Sequence, residues 1–174
     1  MNWILRKKIK QNKLLYDQFS VRKANPKDAK KIVSLVQSLS LNENGKQSLF
    51  TEEILLRDGF GERCAFQILV AEISGNVVGY ALYYFGYDTI RAKRGIILSD
   101  LFVEEAWRRQ GIGRCLMKAA AKACNNTGGT WMFWAVLKRN RRARKFYKTI
   151  APELPNVLLC VSTGKNFQKL ASFS

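Results

Sequence analysis

The sequence predicts an α/β fold, one domain in which a mixed sheet carries helices on both faces. Three observations lead there. Segments of two-residue apolar alternation and segments of helical spacing succeed one another in the order β, α, α, β, β, β, α, β, α, β. The 174 residues are 47% hydrophobic with only three Pro, and a domain of this size hides roughly 70% of its unfolded surface, so no disulfide or metal staple is needed. A strand around Asp100 also runs directly into a glycine-containing turn that opens a helix, and the element order as a whole, with three strands in succession, does not match the doubly wound dinucleotide folds.

The elements follow in turn. Residues 1–18 carry Arg6, Lys7, Lys8, Lys10 and Lys13 against Asp17 alone, and are expected to be a basic N-terminal extension; the domain occupies residues 19–174. Residues 19–23 form a short strand. Asn25-Pro26 then supplies an N-cap and a preset first helical residue for a helix whose Ile32, Leu35, Val36 and Leu39 share one face. A polar stretch over residues 42–48 leads to a second helix, capped by Thr51, acidic at Glu52 and Glu53, and closed near Gly59. Strands over residues 65–72 and 76–85 meet at Ser74-Gly75-Asn76, a hairpin signal. Residues 96–103 form a long strand, residues 112–124 a helix, and residues 130–137 a strand. Asn140 caps a helix carrying Ala143, Phe146 and Tyr147, and residues 157–163 are expected to be a terminal strand.

Composition excludes several chemistries. With no His, Ser-His and Cys-His nucleophile schemes are ruled out, as is the usual neutral-pH proton shuttle. Cys64, Cys115, Cys124 and Cys160 lack metal-ligand spacing and no secretory leader is expected ahead of them, so reduced, mostly buried thiols and a cytoplasmic location are expected, with no metal. No apolar run reaches the 18 or so residues of a membrane span. The formal charge of +17 calls for an anionic partner such as a phosphate; nucleic acid is compatible with it but not favoured.

The block that carries chemistry spans residues 98–114. Gly111 and Gly113 at the start of a helix let an anion approach main-chain N–H groups at the positive end of the helix dipole. Residues 107–148 hold 12 Lys plus Arg and no Asp or Glu, which strengthens the reading as a phosphate cradle. Thr163-Gly164-Lys165 lacks the upstream glycine of a Walker loop.

Arg108-x-x-Gly111-x-Gly113, after a strand ending Leu101-Phe102-Val103, resembles the acetyl-CoA motif of the GNAT family of N-acetyltransferases. Asn140-x-x-Ala143-x-x-Phe146-Tyr147 resembles that family's second signature. Asp58-Gly59-Phe60-Gly61-Glu62, Val70-Ala71-Glu72, the run from Tyr80 to Asp88, and Ser99-Asp100-Leu101-Phe102-Val103 resemble its diamine (spermidine/spermine) acetyltransferase branch, and the likeness covers roughly residues 19–150.

The resemblance implies a GNAT-like fold with a central, mostly antiparallel sheet and an acetyl-CoA-dependent transfer of acetyl to a primary amine of a small molecule. Main chain at Leu101, Phe102 and Val103 would hold the pantetheine arm, and Arg108, Arg109, Gln110, Gly111, Ile112, Gly113 and Arg114 would wrap the pyrophosphate. Asn140, Arg142 and Ala143 would add cofactor contacts. Tyr147 falls at the general acid, whose phenol stays protonated at neutral pH and can donate to a departing thiolate. Ser99 stands where the branch usually carries Glu, so a water held by Ser99, or the adjacent Asp100, takes over the ammonium proton; strand alternation points Asp100 away from Ser99 unless a bulge intervenes. Glu43, Asp88 and Trp134 fall on the acceptor side. A homodimer follows by family analogy. The alternatives are a protein lysine or N-terminal acceptor, and a catalytically degenerate module that binds CoA or nucleic acid.

Overall fold

The computed structural model describes residues 19–172; the basic extension expected over residues 1–18 lies outside them. The chain divides into two compact units, the first ending at Ala135 and the second beginning at Val136.

Among the described residues, the first unit is built on five strands, β1 (Ser20–Lys23), β2 (Gln67–Ile73), β3 (Asn76–Asp88), β4 (Lys93–Val103) and β5 (Trp131–Trp134). They lie side by side in chain order, antiparallel from β1 to β4, with β5 parallel to β4. Helices α1 (Ala29–Asn44), α2 (Glu52–Phe60) and α3 (Ile112–Asn126) accompany this mixed sheet. The expected strand and helix order of this unit holds, although β5 stops at Trp134 rather than running to Leu137.

Helical spacing decides which sides are buried. Ile32, Leu35 and Val36 of α1 and Leu55 of α2 pack with Ile68, Val70, Tyr80, Leu82 and Phe102 of the sheet in one cluster. On α3, Ile112, Leu116, Met117, Ala120 and Cys124 form the buried stripe, and α3 packs along β3 and β4. Burying each such aliphatic side chain contributes roughly 1.5–3 kcal/mol, so apolar packing drives the fold.

Polar groups set the entry to α1. Asn25 accepts from Lys27 N at 3.0 Å while Asp28 Oδ2 accepts from Asn25 N at 2.8 Å, a reciprocal cap around Pro26. Arg22 of β1 clamps Asp28 from both nitrogens at 2.7 and 2.9 Å and reaches Glu72 of β2 through Nε at 2.8 Å. Asp28 is 8% exposed, and Arg22 holds its carboxyl below the usual carboxylate range.

The thiols differ from expectation. All four are free, but only Cys124 is buried, Cys115 is half-buried, and Cys64 and Cys160 are exposed. Cys64 lies in the loop after α2, where its Sγ donates to the carbonyls of Gly59 and Gly61. Among the described residues, no helix is long and apolar enough to cross a membrane.

The second unit holds α4 (Arg141–Tyr147) and α5 (Gly164–Ala171). The strand expected over residues 157–163 is absent; those residues are exposed and form no ladder. An apolar, β-prone run becomes a strand only where a neighbour takes up its backbone hydrogen bonds, and among the described residues none does. Helix α5 was not expected from the sequence, although Phe167, Leu170 and Ala171 stand at helical spacing.

Candidate active site

The anion cradle expected from the sequence falls on the connection from β4 to α3. After a 3-10 turn at Glu105–Trp107, Arg109 and Gly111 both take left-handed backbone conformations, with φ of 64° and 86°. Left-handed residues in a turn direct neighbouring N–H groups toward a concavity, and the first four N–H groups of α3 have no acceptor within the helix. Nothing lies within 4 Å of where a Cβ on Gly111 would stand, so the main chain there is open to a close-approaching group. Ile112, 1% exposed, anchors the start of α3 in the core, while Gly113 and Arg114 are half-buried behind it.

The arginines of the cradle do different things. Arg108 Nε donates to Val103 O at 2.7 Å, its guanidinium lies 5.4 Å over the Phe102 ring, and Glu105 is 3.7 Å away. It thereby ties the turn back to the end of β4. Arg109 is exposed. Gln110 Nε2 donates to Ala106 O at 3.2 Å, closing the turn on itself.

The edge of β4 supplies a second feature. β5 pairs with β4 only from Gly95 through Leu98, the last pair being Leu98 with Trp134. Beyond it, among the described residues, no strand takes the outer edge of residues 99–103. Unpaired main-chain donors and acceptors on a strand edge can bind an extended, amide-bearing ligand as an added strand would. Leu101, Phe102 and Val103 lie on this edge, which leads straight into the cradle.

The third feature is a β-bulge. Leu82 stands opposite Asp100 while Tyr83 stands opposite Leu98, leaving Ser99 as the surplus residue. The condition set by strand alternation is therefore met, and Ser99 Oγ donates to Asp100 Oδ1 at 3.2 Å. Asp100 Oδ2 accepts from Tyr80 OH at 3.0 Å. Burial pushes the Asp100 carboxyl above its ordinary range, and the two hydroxyls oppose that shift. Tyr80 is 0% exposed, and its phenol is pushed upward by burial and by the charges of Asp100 and Glu43, so it stays protonated.

The structure does not gather every expected acceptor residue. Trp134 faces Leu98, one residue before the bulge. Asp88 ends β3, eight residues beyond Tyr80, roughly 26 Å along the strand. There Arg91 holds it, with N donating to Oδ1 at 3.0 Å and Nη1 to Oδ2 at 2.5 Å.

In the second unit, Asn140 Oδ1 accepts from Ala143 N at 3.0 Å, so the side chain caps α4. Arg142 is exposed. The Tyr147 ring lies 5.3 Å from that of Phe146. Arg144 and Glu153 form a two-toothed ion pair at 2.7 and 2.8 Å.

One residue of this site escapes sequence reasoning. Tyr80 reads as a strand aromatic, and only the register of β3 against β4 reveals its partner.

The chain is similar to known proteins. The acetyltransferase (GNAT) family model matches residues 34–150. The thialysine N-epsilon-acetyltransferase of Bos taurus is 37% identical over 142 residues, 76% of this chain and 83% of that protein. The spermidine/spermine N(1)-acetyltransferase-like protein 1 of Homo sapiens is 33% identical over 139 residues, 75% of this chain and 20% of that longer protein. Among solved structures, an integron cassette protein of V. cholerae superposes with a TM-score of 0.77 at 23% identity, over 90% of this chain and 99% of that one. An aminoglycoside acetyltransferase from an uncultured soil metagenomic sample gives 0.73 at 23% identity, over 87% and 99%; at these identities the likeness is one of fold. A five-stranded mixed sheet flanked by helices, a matching family model and relatives named as acetyltransferases together identify the chain as an N-acetyltransferase belonging to the GNAT family.

Proposed function

We propose that this enzyme transfers the acetyl group of acetyl-CoA to the primary amine of a small molecule by direct attack. The observation that carries the reading is the unpaired edge of β4, residues 99–103, leading into the left-handed turn at Arg109 and Gly111. The edge suits the amides of a pantetheine arm, and the open main chain at Gly111 suits a diphosphate. Leu101, Phe102 and Val103 would hold the arm; Gln110, Gly111, Ile112, Gly113 and Arg114 would hold the diphosphate, with Arg109 adding charge and Arg108 fixing the turn. Asn140, Arg142 and Ala143 are assigned to the cofactor by the motif they occupy. Bound there, acetyl-CoA supplies a thioester carbonyl.

Asp100, next to the Ser99 that stands where the branch usually carries Glu, takes one proton from the substrate ammonium. Ser99 holds that carboxylate and orients a water on the same path. The neutral amine attacks the thioester carbonyl, forming the C–N bond as the C–S bond breaks, and the nitrogen gives up its second proton to water. Tyr147 donates to the departing thiolate and regains its proton from solvent. Glu43 supplies negative charge for the acceptor's cationic end, Trp134 an apolar wall, and Asp88 a more distant acidic group. Relatives named for thialysine, for spermidine/spermine and for ornithine support a small amine as acceptor. A net charge of +17 repels polycations at long range, which favours a short amine over a long polyamine. The reading includes a homodimer, by family analogy, and a cytoplasmic location.

Thermal melting with CoA tests the cofactor half. At 100 times Kd the ligand adds about 2.7 kcal/mol of stability. Thiol release with thialysine, ornithine, spermidine and a lysine peptide tests the acceptor. Absence of any CoA response, or turnover of the peptide alone, overturns the proposal.

A further inference from the structure

A fully buried tyrosine raises a question that its neighbours answer. The ring of Tyr80 packs in the core cluster, 6.5 Å from the Phe102 ring, where phenylalanine would bury the same apolar surface without having to desolvate a hydroxyl. Tyr80 nevertheless carries one, and it donates to Asp100 Oδ2 at 3.0 Å while Ser99 Oγ donates to Oδ1 at 3.2 Å. Each oxygen of the carboxylate thus has its own donor, one from β3 and one from the bulge in β4.

We propose that Tyr80 is a positioning residue for acetyl transfer: its hydroxyl holds the Asp100 carboxylate ionised and oriented to take the proton of the substrate ammonium. This rests on the assignment of Asp100 above. Two opposed effects make the hydroxyl matter. Dry surroundings raise the Asp100 carboxyl, and each donated hydrogen bond favours its charged form and draws it back down. Two groups hold the carboxylate, Tyr80 from β3 and Ser99 beside it on β4, and the charge of Glu43 on α1 adds to the upward push on the Tyr80 hydroxyl. Asp100 and Glu43 both discourage ionisation of the phenol, so it remains a donor throughout the working range and its direction is fixed.

The test is Tyr80→Phe, which keeps the ring and removes only the donor. With thialysine as acceptor, the acid limb of kcat/KM moves up by about one pH unit, a loss of about tenfold on the acid side, while the alkaline plateau stays within about threefold. Carbon-13 titration of the Asp100 carboxyl in the free enzyme moves in the same direction, and the melting shift caused by CoA is unchanged. A folded Tyr80→Phe enzyme with wild-type acid limb and wild-type Asp100 titration overturns the proposal. Asp100→Asn separates it from the assignment beneath it: full turnover in that variant removes Asp100 from the proton path, whereas an inactive Asp100→Asn beside a silent Tyr80→Phe removes Tyr80 alone.

Discussion

Replacing Gly111 by Ala separates the two reasons for a glycine at the head of α3. At φ 86° any side chain strains the backbone, by about 1–2 kcal/mol, which for a domain of this size lowers Tm by roughly 2–4 °C per kcal/mol. Nothing in the protein lies within 4 Å of the new methyl, so no steric term adds to that in the free enzyme. The methyl instead occupies the space proposed for the diphosphate, and CoA affinity falls at least about tenfold, or about 1.4 kcal/mol. Gly128→Ala is the matched control. Gly128 has φ 76° and equally open space, but follows the far end of α3, about 22 Å away by helix rise. Melting curves with and without CoA, together with CoA binding by calorimetry, read both quantities in both variants. Similar drops in Tm and a CoA defect confined to Gly111→Ala are expected. Equal CoA affinity in the two variants refutes the placement of the diphosphate.

Three further outcomes follow from the same geometry. Tyr147→Phe lowers kcat by about 10²-fold or more and leaves CoA binding within about twofold; a parallel loss of both in calorimetry and steady-state kinetics assigns the ring to packing. Ser99→Glu adds a second carboxylate at the bulge and raises kcat/KM for spermidine about tenfold, and an unchanged rate in the thiol-release assay shows that the proton already leaves efficiently through Asp100. Arg22→Gln strips Asp28 of its clamp and costs about 2 kcal/mol at pH 7, below the usual range for breaking a buried pair because Arg22 is a third exposed. Since Arg22 depresses the Asp28 carboxyl below 3.8, the stabilisation is present above about pH 4 and fades as pH falls through the native value. Urea unfolding at pH 7 and pH 3 checks this, and an equal gap between wild type and variant at both pH values contradicts it.

Much of this was legible in the sequence because local rules and tertiary packing agree. Asn25-Pro26 ahead of Ile32, Leu35 and Val36 marks a helix start and its buried side, and the structure adds a 3-10 turn closed by Asp28, with Arg22 as the clamp. The turn ahead of α3 was readable for the same reason, since Gly111 precedes an apolar helix start and takes the left-handed conformation that glycine adopts without strain. Residues 157–163 show the limit: an apolar run becomes a strand only with a partner edge, and that is not a property of the run itself. The Tyr80–Asp100 contact was hidden for a related reason. It depends on which residues of two strands face one another, and one surplus residue changes that for the whole length beyond it.

Positions along a β-strand keep time in twos, and β4 gains a beat at residue 99. Upstream, Ile96 and Leu98 belong with Tyr83 and the layer under α3; downstream, Asp100 and Phe102 belong with Leu82, Tyr80 and the layer under α1. A regular strand of identical composition would send the acidic group to the wrong layer and seat Leu101 where Phe102 now lies. The bend that accompanies such an insertion also falls where the parallel neighbour lets go, after Leu98 and Trp134. One inserted residue therefore decides both where the two strands part and which chemistry faces the opening.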